Sequence, residues 1–129
     1  MTEQEAVLVF DRDGDLMVFL SVDDAAGYME AVDVEAGEYP AVFLLDGTRV
    51  DVATDGQYAV TLSPGEPGHM AELMQHLREY NRVMGRDAVP ADDPVAAANA
   101  WLDAEWRVRW PQRPAWLRSR VLGDAPPRV

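Results

Sequence analysis

The chain has 129 residues, 48% of them hydrophobic and four of them Trp, a size and composition that fit one globular domain rather than a disordered segment. It has no Cys, which excludes disulfides and thiolate metal sites. Its formal charge of −12 repels phosphate backbones, so nucleic acid is not an expected partner.

The strand-rich half is expected to span residues 1–62. MTEQEAV is acidic and short, unlike a signal peptide, and no apolar run reaches the roughly 18–20 residues of a membrane helix. A cytoplasmic location without membrane contact is the expectation. Residues 6–10 and 16–20 read as strands, apolar and rich in Val and Phe, on either side of Asp11-Arg-Asp-Gly-Asp15. Ser21 with Asp24 three residues later is an N-cap signal. Val22, Ala25, Ala26, Met29 and Val32 follow at helical spacing, which predicts one helix over about 22–32. After the loop 33–39 come AVFLL, TRVDVA and QYAVTL, separated by Asp46-Gly47 and Asp55-Gly56. This is a meander of three strands on tight turns.

From SPGEPG onward the period changes from two to 3.6, and residues 66–122 form the expected helical half. Met70, Leu73, Met74, Leu77, Tyr80 and Met84 mark one stripe of a long helix, with Gly85 as its C-terminal cap. A second long helix starts at Asp92/Asp93, carries Pro94 in its first turn and runs to Pro111. PAWLRSRVL is expected as a last short helix, and 123–129 as a flexible tail. The order ββαβββ–ααα predicts a single α+β domain over 1–129. In it, an antiparallel sheet of about five strands carries two long and one short C-terminal helices on one face.

The second long helix shows two apolar stripes, one of Val95, Leu102, Trp106 and Trp110, the other of Ala97, Trp101, Ala104 and Val108. That pattern predicts burial on both sides, or one stripe that meets a partner. Trp and Arg together, from Trp106 to Trp116, are the types enriched at interface hot spots.

Three chemistries compete for the aspartates of residues 11–15. A calcium loop beginning at Asp11 needs Gly at its sixth position and Glu at its twelfth; Leu16 and Val22 stand there instead. LVFDRDGDL resembles the first motif of haloacid dehalogenase-like phosphatases. That resemblance implies Asp11 as nucleophile, Asp13 as general acid/base, Ser63 as the second-motif serine and Asp92-Asp93 as Mg²⁺ ligands, on a parallel sheet. The third reading is a turn. VFDRDG, VFLLDG and VATDG repeat an apolar pair leading into Asp-Gly, which favours two-residue hairpin turns. Repetition makes the turn the economical explanation.

His69-x-x-Glu72 and His76-x-x-Glu79 lie along one edge of the long helix, where Glu–His neighbours on a solvated face are commoner than a metal site. No metal and no cofactor are expected, and no nucleophile–base pair is evident, so the chain is expected not to be an enzyme.

Charge is segregated. Residues 1–66 carry 15 acids and 2 Arg, 67–106 carry 7 and 3, and 107–129 carry 1 and 6. All 11 basic residues are Arg, which with abundant Ala, Val, Asp and Gly fits a high-GC bacterial gene. The segment SVDDAAGYMEAVDVEAGEYPAVFLLDG resembles a pattern in small acidic bacterial immunity-type proteins. There a strand pair is followed by Ser-Val-x-Asp-Ala, a helix ending in Glu-Ala-x-Asp-Val, and Gly-Glu-Tyr opening the next strand. The resemblance covers residues 6–62 and implies a non-enzymatic protein-binding module that neutralises a toxin. An acidic surface would meet a basic partner protein. The expected contacts are Asp33, Glu35, Glu38, Asp51 and Asp55, with Trp101 as an aromatic anchor. The alternatives are the Mg²⁺-dependent phosphatase and a structural or regulatory subunit.

Overall fold

The computed structural model describes residues 5–109 and 127–129. The strands are β1 (Val7–Phe10), β2 (Leu16–Phe19), β3 (Ala41–Leu44), β4 (Val50–Thr54) and β5 (Val60–Pro64). The helices are α1 (Val22–Tyr28), α2 (Ala31–Glu35), α3 (Met70–Met84) and α4 (Pro94–Arg109). The class is α+β, as the sequence implies, with every strand pairing antiparallel.

The expected five-stranded sheet is instead two sheets, β2-β1-β3 and β4-β5. Among the described residues the backbone pairing between them is the single bridge Phe43↔Arg49. The reason is where the backbone of Arg49 is committed. Its N–H donates to Glu66 O (2.9 Å) and its carbonyl accepts from Gly65 N–H (2.7 Å), so the β3–β4 ladder stops there. The small sheet then folds over one face of the larger one.

β1 and β3 are buried on both faces, which requires covers on both sides. On one face Leu8, Phe10, Leu16, Val18 and Phe43 pack against Leu73 and Leu77 of α3 and Ala97, Ala98 and Leu102 of α4. On the other, Val7, Val9, Val42 and Leu44 pack against Ala25 and Met29, and against Val50 and Leu62 of the small sheet. The two long helices thus share one face, as expected; the third, short helix falls on residues 114–122, outside the described residues. So does most of the expected tail. At its end, Val129 N–H donates to Asn99 Oδ1 (2.8 Å) and Arg128 pairs with Asp103 (3.4 Å), both on α4.

The expected helix 22–32 is two. Ser21 caps α1 as predicted, its Oγ accepting from Asp24 N–H at 3.1 Å. The chain then becomes extended at Met29 and Glu30 before α2. This turns Met29 into the core and leaves Val32 64% exposed. α3 ends as predicted, at Gly85 in the left-handed conformation. At the start of α4, Asp93 Oδ1 accepts from Ala96 N–H (3.1 Å), so Asp93 is its N-cap. The two apolar stripes of α4 resolve into one: Ala97, Ala98 and Leu102 are buried with Trp101 beside them, while Val95 and Val108 face outward. Trp110 and Trp116 lie outside the described residues.

The Asp-Gly turns exist, but their geometry differs from the two-residue type. Among the described residues every left-handed position is a glycine, so no aspartate takes positive φ. Arg12-Asp13-Gly14 and Leu45-Asp46-Gly47 are three-residue loops closed by Asp11 N→Asp15 O (3.0 Å) and Leu44 N→Thr48 O (2.9 Å). Gly14 and Gly47 take the left-handed position that ends such a loop. The third loop, Gly56-Gln57-Tyr58, is closed by Asp55 N→Ala59 O (3.3 Å) and places its glycine first, with Asp55 Oδ1 accepting from the amides of Gln57, Tyr58 and Ala59.

Candidate functional site

β2 is an outer strand of its sheet, with β1 as its partner there. Along it runs a groove of about 670 Å³, inside the range of roughly 300–1,000 Å³ typical of ligand sites. Leu16, Met17 and Phe19 form its floor. One wall is made by Tyr28 at the end of α1 and by Glu38 and Tyr39 of the loop before β3. The opposite wall is Tyr80 and Met84 of α3 with Trp101, Leu102, Glu105 and Trp106 of α4. Asp11 and Asp15 close one end. Among the described residues the lining carries four carboxylates, five Tyr or Trp side chains and no basic group.

Local structure fixes each wall. Tyr28 stands 57% exposed yet is braced by Phe19, ring centroids 5.3 Å apart. Glu38 is drawn to the first turn by Arg12, whose amide donates to Glu38 O and whose Nε meets Glu38 Oε2, both at 3.0 Å. Burial, then the charge of Asp33, with Glu38 and Glu30 adding to it, pushes the Tyr39 phenol above its ordinary range. Tyr80 is pushed up likewise, first by burial and then by Asp15, with Arg86 opposing and Glu105 adding a smaller effect. Both phenols therefore stay neutral at physiological pH, in a field set by carboxylates. Aromatic faces and carboxylates are the two kinds of group that attract a cation.

The aspartates of the first turn serve the backbone. Asp11 Oδ1 accepts from the amides of Asp13 and Asp15, both at 2.9 Å, and Asp15 Oδ1 from Leu16 N–H at 2.9 Å. Carboxylate oxygens of Asp11, Asp13 and Glu38 lie within 4.8 Å of one another, but the amides and Arg12 already offset much of that charge. The residues the phosphatase resemblance requires are dispersed. Ser63 is on β5 in the small sheet, Asp93 caps α4, and the sheet around Asp11 is antiparallel rather than parallel.

Of the six contacts expected from the sequence, the groove gathers Glu38 and Trp101. Asp33 lies near it, close enough to act on Tyr39. Glu35 stands against the β4–β5 turn beside Asp55: a Cβ on Gly56 would be 3.4 Å from its Oε1. Asp51 is at the other end of β4, against Gly65. Asp15, Tyr28, Tyr39, Tyr80 and Glu105 join the site without being expected there; their one local signal in the sequence is that Tyr28 and Tyr39 flank a run of acids.

The His-Glu edge of α3 is also less solvated than its spacing suggests. His76 sits between Phe10 and Phe43, centroids at 5.0 and 5.6 Å, and burial holds its pKa below the ordinary value. Glu72 links Arg49 to His69, and Arg49 lies over the Phe43 ring at 5.5 Å. Among the described residues no helix is long and apolar enough to cross a membrane. No family model, curated protein or solved structure matches the chain.

Proposed function

We propose that this protein is a non-enzymatic binding module that neutralises a basic protein partner in the cytoplasm, as immunity-type toxin inhibitors do. The observation that carries this reading is the groove beside β2, where five Tyr or Trp side chains and four carboxylates converge on a strongly acidic body. Aromatics in a desolvated cleft supply affinity, and the surrounding negative charge speeds encounter and selects against acidic partners. The acids outside the groove, Glu35 and Asp55 together and Asp51 apart, serve as steering charge rather than as contacts.

Hydrolysis of a phosphoester through Asp11 and Asp13 has less support, because Asp11 caps its own turn and the sheet is antiparallel.

The test is co-expression with the product of the adjacent gene, read as rescue of growth, together with pull-down from the same cells. Rescue and a stoichiometric complex are expected. Absence of both would overturn the proposal.

A further inference from the structure

We propose that the tip of the β4–β5 hairpin is a second docking element, which seats the Tyr58 ring in a concave, basic surface of the partner protein. This goes beyond the binding-module reading and rests on it. The ring is 91% exposed, so it adds next to nothing to the core. Hairpin loops favour Gly, Asn, Asp and Ser, and closing the loop Gly56-Gln57-Tyr58 by Asp55 N→Ala59 O asks for no aromatic.

Single exposed rings are common on protein surfaces. What sets this one apart is the loop that carries it. Asp55 Oδ1 accepts from the amides of Gln57 (2.8 Å), Tyr58 (3.1 Å) and Ala59 (3.1 Å). Thr54 Oγ1 adds two more bonds, accepting from Gly56 N–H at 3.2 Å and donating to Ala59 O at 2.9 Å. The other Asp-Gly turns are braced less: Asp46 Oδ1 accepts one amide, and Asp11 Oδ1 two. A backbone held this way has little ordering entropy left to lose on binding. Tyrosine adds a large, rigid face with few torsions, and it is enriched at interface hot spots.

Charge around the tip selects the occupant. Chiefly through the Gln57 amide, the loop holds the Asp55 carboxyl below its ordinary range, so it stays ionised. Glu35 of α2 stands against Gly56, its Oε1 3.4 Å from the point a Cβ would take. These carboxylates place the ring in a negative field, in the half of the chain with 15 acids and 2 Arg. A basic surface is drawn to that field and an acidic one is repelled. α2 also joins the tip to the groove. Its Asp33 acts on Tyr39 in the groove wall, its Glu35 meets the tip, and its Val32 is 64% exposed. A partner seated at the groove therefore reaches Tyr58 across one helix of five residues.

The probe is the purified product of the adjacent gene, with association and dissociation rates measured on the full-length chain. Tyr58→Ala should weaken the complex by about thirtyfold or more, mainly through faster dissociation, with its thermal midpoint unchanged. Asp55→Ala, which frees three amides, should weaken it by about threefold or more. Glu35→Gln should slow association at low salt by about twofold and leave dissociation alone. Val95→Ala, an exposed apolar position on α4, should change nothing. Binding by Tyr58→Ala within about threefold of wild type, or an equal loss from Val95→Ala, would overturn the hairpin as a docking element. A dimer of the chain itself that Tyr58→Ala abolishes would overturn it in favour of a contact between copies. The two readings fail separately. A wild-type complex that Tyr58→Ala leaves intact removes the hairpin and keeps the binding module, whereas no complex with wild type removes both.

Discussion

Gly47 lies so close to Met70 that a Cβ on it would meet the Met70 amide nitrogen at 2.7 Å. The β3–β4 turn is docked on the first turn of α3, and His69 N–H donates to Gly47 O at 2.9 Å. Gly47 also takes φ +88, a conformation that costs an L-residue about 1–2 kcal/mol. Gly47→Ala should therefore destabilise twice, by backbone strain and by overpacking against a backbone that cannot swing aside, about 2–5 kcal/mol in all. Gly68→Ala is the matched control, since Gly68 has φ +89 and nothing within 4 Å of the point a Cβ would occupy. It should lose only the strain, about 1–2 kcal/mol. Urea midpoints at unchanged slope give both numbers, and equal losses would mean that the close approach to Met70 does not matter.

Ser21 is a buried polar side chain whose Oγ caps α1. α1 has only seven residues and packs on β5, so it has little intrinsic helical stability to fall back on. Ser21→Ala should cost about 1 kcal/mol, and Ser21→Asp, which keeps a capping oxygen, should recover part of it. Chemical denaturation of the two variants checks this. Indifference to Ala would place the burial of Ala25, not the cap, in charge of the helix.

His76 links pH to stability. Burial between Phe10 and Phe43 disfavours its charged form; Glu72 and Glu79 pull the other way, and Arg49 adds to the depression. Its folded pKa is below the unfolded value of about 6.5. As pH falls through 6.5 the unfolded chain takes up the proton first, so stability is full above that pH and declines on the way down to the folded pKa. The carboxylates with depressed values among the described residues, Asp46, Asp55 and Glu79, act in a lower window, beneath the ordinary 3.8 of the two Asp and 4.5 of Glu79. Between pH 7 and pH 5, wild type should lose stability and His76→Leu should lose less. Parallel curves for the two proteins would remove His76 as the cause.

The sequence carried the parts of the fold that are local. The Ser21 and Asp93 caps, the Gly85 stop and the stripe Leu73–Leu77–Tyr80 all follow from residues within a turn or two of each other. What escaped it depends on contacts distant in the chain. Nothing near Arg49 announces that Glu66 and Gly65 will take its backbone groups and split the sheet. The apolar spacing through Met29 and Val32 reads as one helix, because the gain from turning Met29 into the core is set by strands it meets only in three dimensions. The groove shows the same limit. Trp101 and Glu38 are legible as an aromatic anchor and an acid of the loop, but Asp15, Tyr28 and Glu105 join them only because β2 is an outer strand flanked by α1 and α4.

Asp11 decides what the stretch Val7–Phe19 is for. Its Oδ1 accepts two backbone amides, those of Asp13 and Asp15, whereas Asp13 lies exposed on the same turn. Asn carries the same acceptor at the same position, so Asp11→Asn should leave stability within about 0.5 kcal/mol of wild type. Asp11→Ala removes both bonds at a part-exposed site and should cost about 1–2 kcal/mol. Asp13→Ala should be neutral or slightly stabilising, because it thins a crowd of carboxylates that includes Asp11 and Glu38. A nucleophilic Asp11 makes the opposite demand. Asn would then abolish turnover of a generic phosphoester in the presence of Mg²⁺ while stability stayed intact. Measuring thermal unfolding and phosphoester turnover on the same three variants separates the roles: the turn predicts that Ala is the damaging change, and a phosphatase predicts that Asn is.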